Sequence, residues 1–370
     1  MDTNFWNGRK VLLTGHTGFK GSMLGLWLSS LGARITGLAL DPPTDPSLFT
    51  LAQVGTAMHS LTGDVRDAAT VNLAMREACP EVVFHLAAQP LVRQSYHQPV
   101  ETYSTNVMGT VNVLEALRHM DTVRVCVVVT SDKCYENQEW LWGYREDDPL
   151  GGADPYSSSK ACAEIATSAY RQSYFPPTRW SEHRVGLATA RAGNVIGGGD
   201  FSQDRLVPDL MRAFAAGQPA IIRRPQAIRP WQHVLDSLAG YILLAERLWM
   251  DGTAYSQAWN FGPVAQDSRC VQSLAAALAR AWGDGAAIKV DSTSSSAHET
   301  QELRLDSSRA RGMLGWRPCW SLERTITEVV RWYQAWAMGQ PLADLTRTQI
   351  QEYHKDMARQ MPVATKEPAS

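Results

Sequence analysis

Nowhere in the sequence does an apolar run approach the roughly 20 residues that a membrane-crossing helix needs. The opening MDTNFWNGRKVLLTG carries only a short apolar stretch, cut off at Gly15, so no secretory signal is expected. Cysteine is sparse. The six residues Cys79, Cys126, Cys134, Cys162, Cys270 and Cys319 are scattered without metal-type pairing. Reduced, buried thiols in a cytoplasmic protein are the expectation, with no metal site. An excess of either charge is missing as well. The net charge of −2 implies no strong attraction to nucleic acid or to an anionic membrane. No internal repeat stands out. What remains is ordinary globular material. With 44% apolar and 19% charged residues, the 370-residue chain can build one large core or two intimate ones.

The first half alternates apolar runs with helical stretches. Val11-Leu12-Leu13 runs into Gly15, residues 22–31 have helical spacing and stop at Gly32, and 35–40 read as a second strand. Residues 60–62 form a weak third strand, and helix resumes over 67–78. Residues 81–88 and 123–130 read as buried strands, with a long helix over 99–118 between them. This βαβα rhythm, with strands apolar throughout, predicts an α/β fold with a parallel sheet covered on both faces. After about residue 190 the rhythm loosens: 206–216 and 236–248 look helical, with Asp236 as an N-cap, and 220–223 and 258–262 look like short strands.

TGHTGFKG places Gly15, Gly18 and Gly21 directly after a strand and at the opening of a helix. Gly15 permits a tight turn, Gly18 lets backbone approach a pyrophosphate, and Gly21 allows close helix packing. The helix N-terminus then offers free N–H groups to the anion. Asp41 follows about 20 residues later, where a carboxylate binds a ribose diol and favours NAD over NADP. A turn before Pro42-Pro43 would also explain it. Asp64, in GDVRD, is placed to read an adenine edge or to cap a helix.

In DPYSSSKACAE, Tyr156 and Lys160 lie four apart and share a helix face. An ammonium beside a phenol favours the phenolate, and a tyrosine so tuned can take the proton of an alcohol while hydride leaves the same carbon. With these residues in place, the sequence resembles the extended short-chain dehydrogenase/reductase family, on TGHTGFKG, YSSSK and the LGWRP of residues 314–318. The resemblance implies a Rossmann-type doubly wound sheet with a smaller C-terminal substrate lobe. The expected boundaries are 1–190 for the NAD-binding domain, 191–350 for the lobe with some segments returning to the sheet, and 351–370 for a partly frayed tail. It implies an NAD-contacting set of Gly15, His16, Thr17, Gly18, Phe19, Lys20, Gly21, Asp41, Asp64, Val65, Leu86, Ala87, Ala88, Asn106, Tyr156 and Lys160. It further implies a homodimer, or a dimer of dimers, packed through helices around 99–118 and 155–174. His85 reads instead as a satisfied core histidine.

After the strongest strand comes TSDKCYEN. Ser131 matches the family hydroxyl that bonds tyrosine and substrate. Nucleotide-sugar 4,6-dehydratases carry an acidic pair at the next two positions, and here these are Asp132 and Lys133. That departure is similar to the CDP-glucose 4,6-dehydratase subgroup, as are HLAAQPLVR, RAGNVIGGGD and RPWQHV. The reaction so implied takes hydride from C4 to NAD, removes the C5 proton, expels the C6 hydroxyl as water and returns hydride to C6. Asp132, protonated through burial, would be the acid; Lys133 would be the C5 base or an enolate stabiliser. The implied nucleotide-sugar contacts are Gln89, Asn194, Arg205, Arg229, His233 and Asn260. A dTDP- or UDP-sugar dehydratase, an epimerase, or a dinucleotide-sensing regulator without catalysis are the alternatives. A regulator could discard Ser131, Tyr156 or Lys160, yet all three are present.

Overall fold

The computed structural model describes residues 1–264, 268–291 and 302–360. Its centre is a parallel sheet of β1 (Lys10–Thr14), β2 (Arg34–Ala39), β3 (His59–Thr62), β4 (Val82–His85), β5 (Val125–Val129), β6 (Gly186–Ala192) and β7 (Ala258–Phe261). Across the sheet the order is β7-β6-β5-β4-β1-β2-β3. In register, Leu12 of β1 sits between Val83 of β4 and Thr36 of β2. The winding reverses between β1 and β4, and at such a switch point the strand ends leave a crevice for a ligand.

The unbroken apolar strands have a simple cause. Side chains alternate between the two faces, and both faces are buried. Leu13, Phe84 and Val127 face a core that includes Trp27, Leu238 and Ile242. Leu12, Val83 and Val128 face another that includes Val71, Val113 and Leu117. The covering helices are α1 (Phe19–Ser30), α2 (Ala68–Ala78), α3 (Gly109–Arg118), α4 (Pro155–Ser173) and α6 (Val234–Met250), while α5 (Leu206–Ala215), α7 (Val271–Trp282), α8 (Leu322–Ala337) and α9 (Ala343–Gln360) pack outside them. Asp67 and Asp154 cap α2 and α4, accepting from Ala69 N and Ser157 N at 2.9 Å each.

Several expectations shift. α1 starts at Phe19, inside the glycine motif. The long helix over 99–118 is interrupted by a π-helical turn at Ser104–Met108. α6 starts at Val234, so its cap is His233, whose Nδ1 accepts from Leu235 N at 3.2 Å. Asp236 lies buried in the first turn instead, accepting from Cys319 N and Tyr353 Oη. Ala220–Ile222 pairs with Ile288–Val290 outside the main sheet, whereas β7 extends the main sheet beside β6. The tail expected to fray from 351 continues α9, which buries Tyr353 and Met357; residues 361–370 lie outside those described. All six cysteines are free, though only Cys126, Cys134 and Cys319 are buried. Among the described residues, no helix is long and apolar enough to cross a membrane.

Candidate active site

The glycine loop closes the end of β1. Gly15 has φ of 77°, and a Cβ there would come within 2.7 Å of Ala87 N. At Gly21 a Cβ would lie 2.1 Å from Gly15 O, so this glycine lets the helix close on its own loop. Gly18 differs: a Cβ would meet only Gly15 O, at 3.4 Å. Its outer side faces open space beside the first-turn N–H groups of α1, which have no intrahelical acceptor. Such a cradle fits a dinucleotide pyrophosphate. Opposite, Thr14 Oγ1 accepts from Leu86 N and Ala87 N at 3.2 Å each and pairs with His85 Nδ1 at 2.7 Å. Thr110 Oγ1 takes the other His85 nitrogen at 3.1 Å, and burial pushes this imidazole down to about 3.

Beside this crevice opens a cavity of about 1490 Å³. Ser131, Asp132, Lys133 and Tyr156 line one part of it; Asn194, Arg205, Arg223, Arg224 and Arg229 line others. Ser131 Oγ donates to Asp132 Oδ1 at 3.1 Å and accepts from Lys133 N at 3.2 Å. Burial raises the Asp132 carboxyl above its usual range, although Lys133, Lys20 and Arg229 pull the other way. A Cβ at Gly193 would lie 2.9 Å from Asp132 Oδ2, so a side chain there would displace that carboxyl.

Tyr156 and Lys160 share the buried face of α4, as their spacing requires. Their electrostatics differ from the expectation. Burial pushes the Tyr156 phenol up to about 12, while Ser131 and Arg205 pull it down. Burial also lowers Lys160 to about 8, while Glu164 and Cys134 oppose that shift. Its Nζ donates to Val129 O at 3.5 Å. Without a bound cofactor the protein holds a phenol, because desolvation penalises the anion more than its neighbours favour it.

A family model described as GDP-mannose 4,6 dehydratase matches residues 12–329. The chain belongs to this family. A CDP-glucose 4,6-dehydratase from Salmonella typhimurium is 50% identical over 353 residues, covering 95% of this chain and 98% of that protein. Among solved structures, dTDP-glucose 4,6-dehydratase from Bacillus anthracis in complex with NAD superposes with a TM-score of 0.73 at 20% identity, over 88% of this chain and 97% of that one. UDP-glucose 4-epimerase from Thermus thermophilus in complex with NAD gives 0.75 at 24% identity, over 88% and 98%. At these identities the two structures establish a shared fold.

Within this member of the family, the anticipated residues divide. Asn106 belongs at the junction: Oδ1 accepts from Gln89 N at 2.8 Å, and Nδ2 donates to Ser159 Oγ at 2.8 Å, tying the end of β4 to α4. Asp41 is exposed after β2, close to Leu40, whose carbonyl accepts from Thr17 Oγ1 at 2.9 Å. Asp64 is held by Arg66, whose Nε donates to it at 2.8 Å and lowers its pKa. Val65 is buried against Gly109. Phe19 packs beside Gly197, and Ala88 lies half-buried just beyond β4. His16 turns inward: its ring lies against Gly37, with Nε2 2.6 Å from Ser60 Oγ.

Three of the expected substrate contacts lie off the cavity wall. Gln89 spends its side chain on Leu91 and Thr102, with Nε2 donating to Leu91 O at 3.1 Å and to Thr102 Oγ1 at 2.9 Å. His233 caps α6 and stacks on Trp320, 4.7 Å between ring centroids. Asn260 is fully buried, donating to Tyr144 O at 2.8 Å and accepting from Tyr135 Oη at 2.7 Å. None of the three lines the cavity. Sequence reasoning also missed Glu164 and Arg191. Both are 3% exposed, with Arg191 Nη2 2.8 Å and Nε 2.9 Å from the carboxylate. Thr130 and Thr189 donate to that carboxylate too. Its position one turn beyond Lys160 was the available signal.

Proposed function

We propose that the chain converts CDP-glucose to CDP-4-dehydro-6-deoxyglucose and water. The observation that carries this is the shared wall of one cavity: Tyr156 and Ser131 beside an aspartic acid that burial keeps towards its protonated form. The half-identical relative named CDP-glucose 4,6-dehydratase supports the nucleotide. An epimerase has no use for an acid at C6, so Asp132 favours dehydration over that reading.

NAD, when bound in the glycine crevice, supplies the hydride acceptor and a positive ring that favours phenolate. Tyr156 takes the sugar O4 proton, steadied by the Ser131 hydroxyl. Lys160, on the same face, supplies positive charge to the phenolate. Lys133 removes the C5 proton of the 4-keto sugar. Asp132 gives its proton to the C6 hydroxyl, which departs as water; its raised pKa suits an acid working near neutrality. Arg229, with Asn194, holds the diphosphate end, where a guanidinium fork matches phosphate oxygens, while Arg205, whose charge acts on Tyr156 and Lys20, lies towards the hexose. Exposed Val100, Tyr103, Met108 and Ile165 on the helical segments near 99–118 and on α4 support a homodimer through those faces. A cytoplasmic setting accords with its free thiols.

The test is direct. Incubated with CDP-glucose and NAD, the protein yields a 4-keto-6-deoxy sugar whose ultraviolet absorbance appears in alkali. A signal from dTDP- or UDP-glucose but none from CDP-glucose would move the nucleotide assignment.

A further inference from the structure

Lys20 belongs by sequence to the glycine motif, where it was expected to meet the cofactor. The structure places its side chain among the residues that line the cavity holding Ser131, Asp132 and Tyr156. It stands in the first turn of α1, and its ammonium lies 6.0 Å from the centre of the Tyr241 ring. Among the described residues it forms no hydrogen bond or ion pair. The charges that act on it come from several elements: Arg205 and Asp200 from the loop before α5, Asp132 from the turn after β5, and Lys160 from α4. Asp200 is already engaged, accepting from Arg205 Nη1 at 3.0 Å, and Asp132 accepts from Ser131.

A half-buried ammonium on a cavity wall with three donors unspent is available to acceptors that a ligand brings. Its neighbours make the missing acceptor specific. Among them Asp132 is the acid of the reacting end and Lys160 shares the helix of Tyr156, so the ligand part within reach is the hexose. We infer that Lys20 is a substrate-side catalytic residue: it donates hydrogen bonds to the hexose oxygens and steadies the enolate that forms when C5 loses its proton. In that step the C5–H bond breaks, its electron pair moves towards O4, the proton goes to the base, and Lys20 keeps its own protons. This rests on the reading of the chain as a hexose dehydratase. It assigns to the motif a second task, since one turn of α1 then serves the cofactor with its backbone and the sugar with a side chain.

Binding separates this from a cofactor role. The Lys20→Met enzyme should bind CDP-glucose about tenfold more weakly than the parent, by calorimetry, while its affinities for CDP and for NAD stay within twofold. Turnover should fall about 100-fold, and Lys20→Arg should recover part of both losses. Retained NAD affinity reports that the variant is folded. Equal affinity of parent and Lys20→Met for CDP-glucose would overturn the assignment, as would loss of NAD affinity with sugar binding intact. A parent inert towards every nucleotide hexose would overturn the dehydratase reading and Lys20 with it. An active parent beside an unimpaired Lys20→Met would sink Lys20 alone.

Discussion

Two clusters of buried charge lie within one turn of each other along α4, and they are built on opposite rules. Around Glu164 each charge is matched. The carboxylate accepts from Thr130, Thr189 and two nitrogens of Arg191, and Arg191 also donates to Tyr135 Oη at 2.7 Å and Glu146 O at 3.0 Å. Burial opposes both ionisations, yet the pairing outweighs it, holding Glu164 below the carboxylate range and Arg191 above its ordinary value. Around Tyr156 the matching is incomplete. Asp132 is raised, Lys20 and Lys160 are each lowered to about 8, and Lys20 has no hydrogen-bond partner among the described residues. Both clusters are desolvated; of their charged side chains, Asp132 and Lys20 line the cavity, whereas Glu164 and Arg191 do not. Saturated networks rigidify a fold, while unsaturated ones are completed by what binds.

The contrast can be broken from either side. Tyr156→Phe has the largest expected effect: turnover falls about 10²- to 10⁴-fold, while the melting temperature moves little. A large loss of stability in that variant would blur the division. Glu164→Ala comes next and acts in the opposite sense. It leaves Arg191 buried without its counter-charge, so chemical denaturation should show a stability loss of about 3–5 kcal/mol. A stable Glu164→Ala protein with selectively impaired chemistry would move Glu164 into the reacting cluster.

Asp132→Asn should give the smallest change in stability, and its sign is the informative part. The folded-state pKa of Asp132 lies above the unfolded one, so its protonated form favours the fold. That contribution is complete below the ordinary carboxylate pKa of about 4 and fades as pH rises through the folded value. The asparagine variant should therefore be the more stable protein at neutral pH. Its advantage should vanish towards pH 4 in unfolding measurements across the range, while dehydration is lost. An advantage that grew on acidification would contradict the burial of a neutral acid.

Much of the fold was legible because each signal was local. Continuous apolar runs marked β4 and β5, a glycine marked the end of α1, and the helical spacing from 67 marked α2. Where the reading slipped, a local rule had a tertiary competitor. Asp236 has a good N-cap residue type, but His233 took that role, and Cys319 and Tyr353 took the carboxylate. Asn260 and Gln89 have the chemistry of ligand contacts, yet neighbouring backbone and hydroxyl groups consumed it.

The sequence by itself determined the parallel sheet, the glycine crevice and the pairing of Tyr156 with Lys160, since these follow from the strand period, backbone freedom and the pitch of one helix. Tertiary structure alone decided which polar side chains remain unspent. It set Lys20 and Asp132 on the wall of one cavity, closed Glu164 on Arg191, and kept the Tyr156 phenol protonated. The reason is physical: hydrogen-bond capacity and desolvation depend on which distant segments meet, and spacing along the chain carries neither quantity.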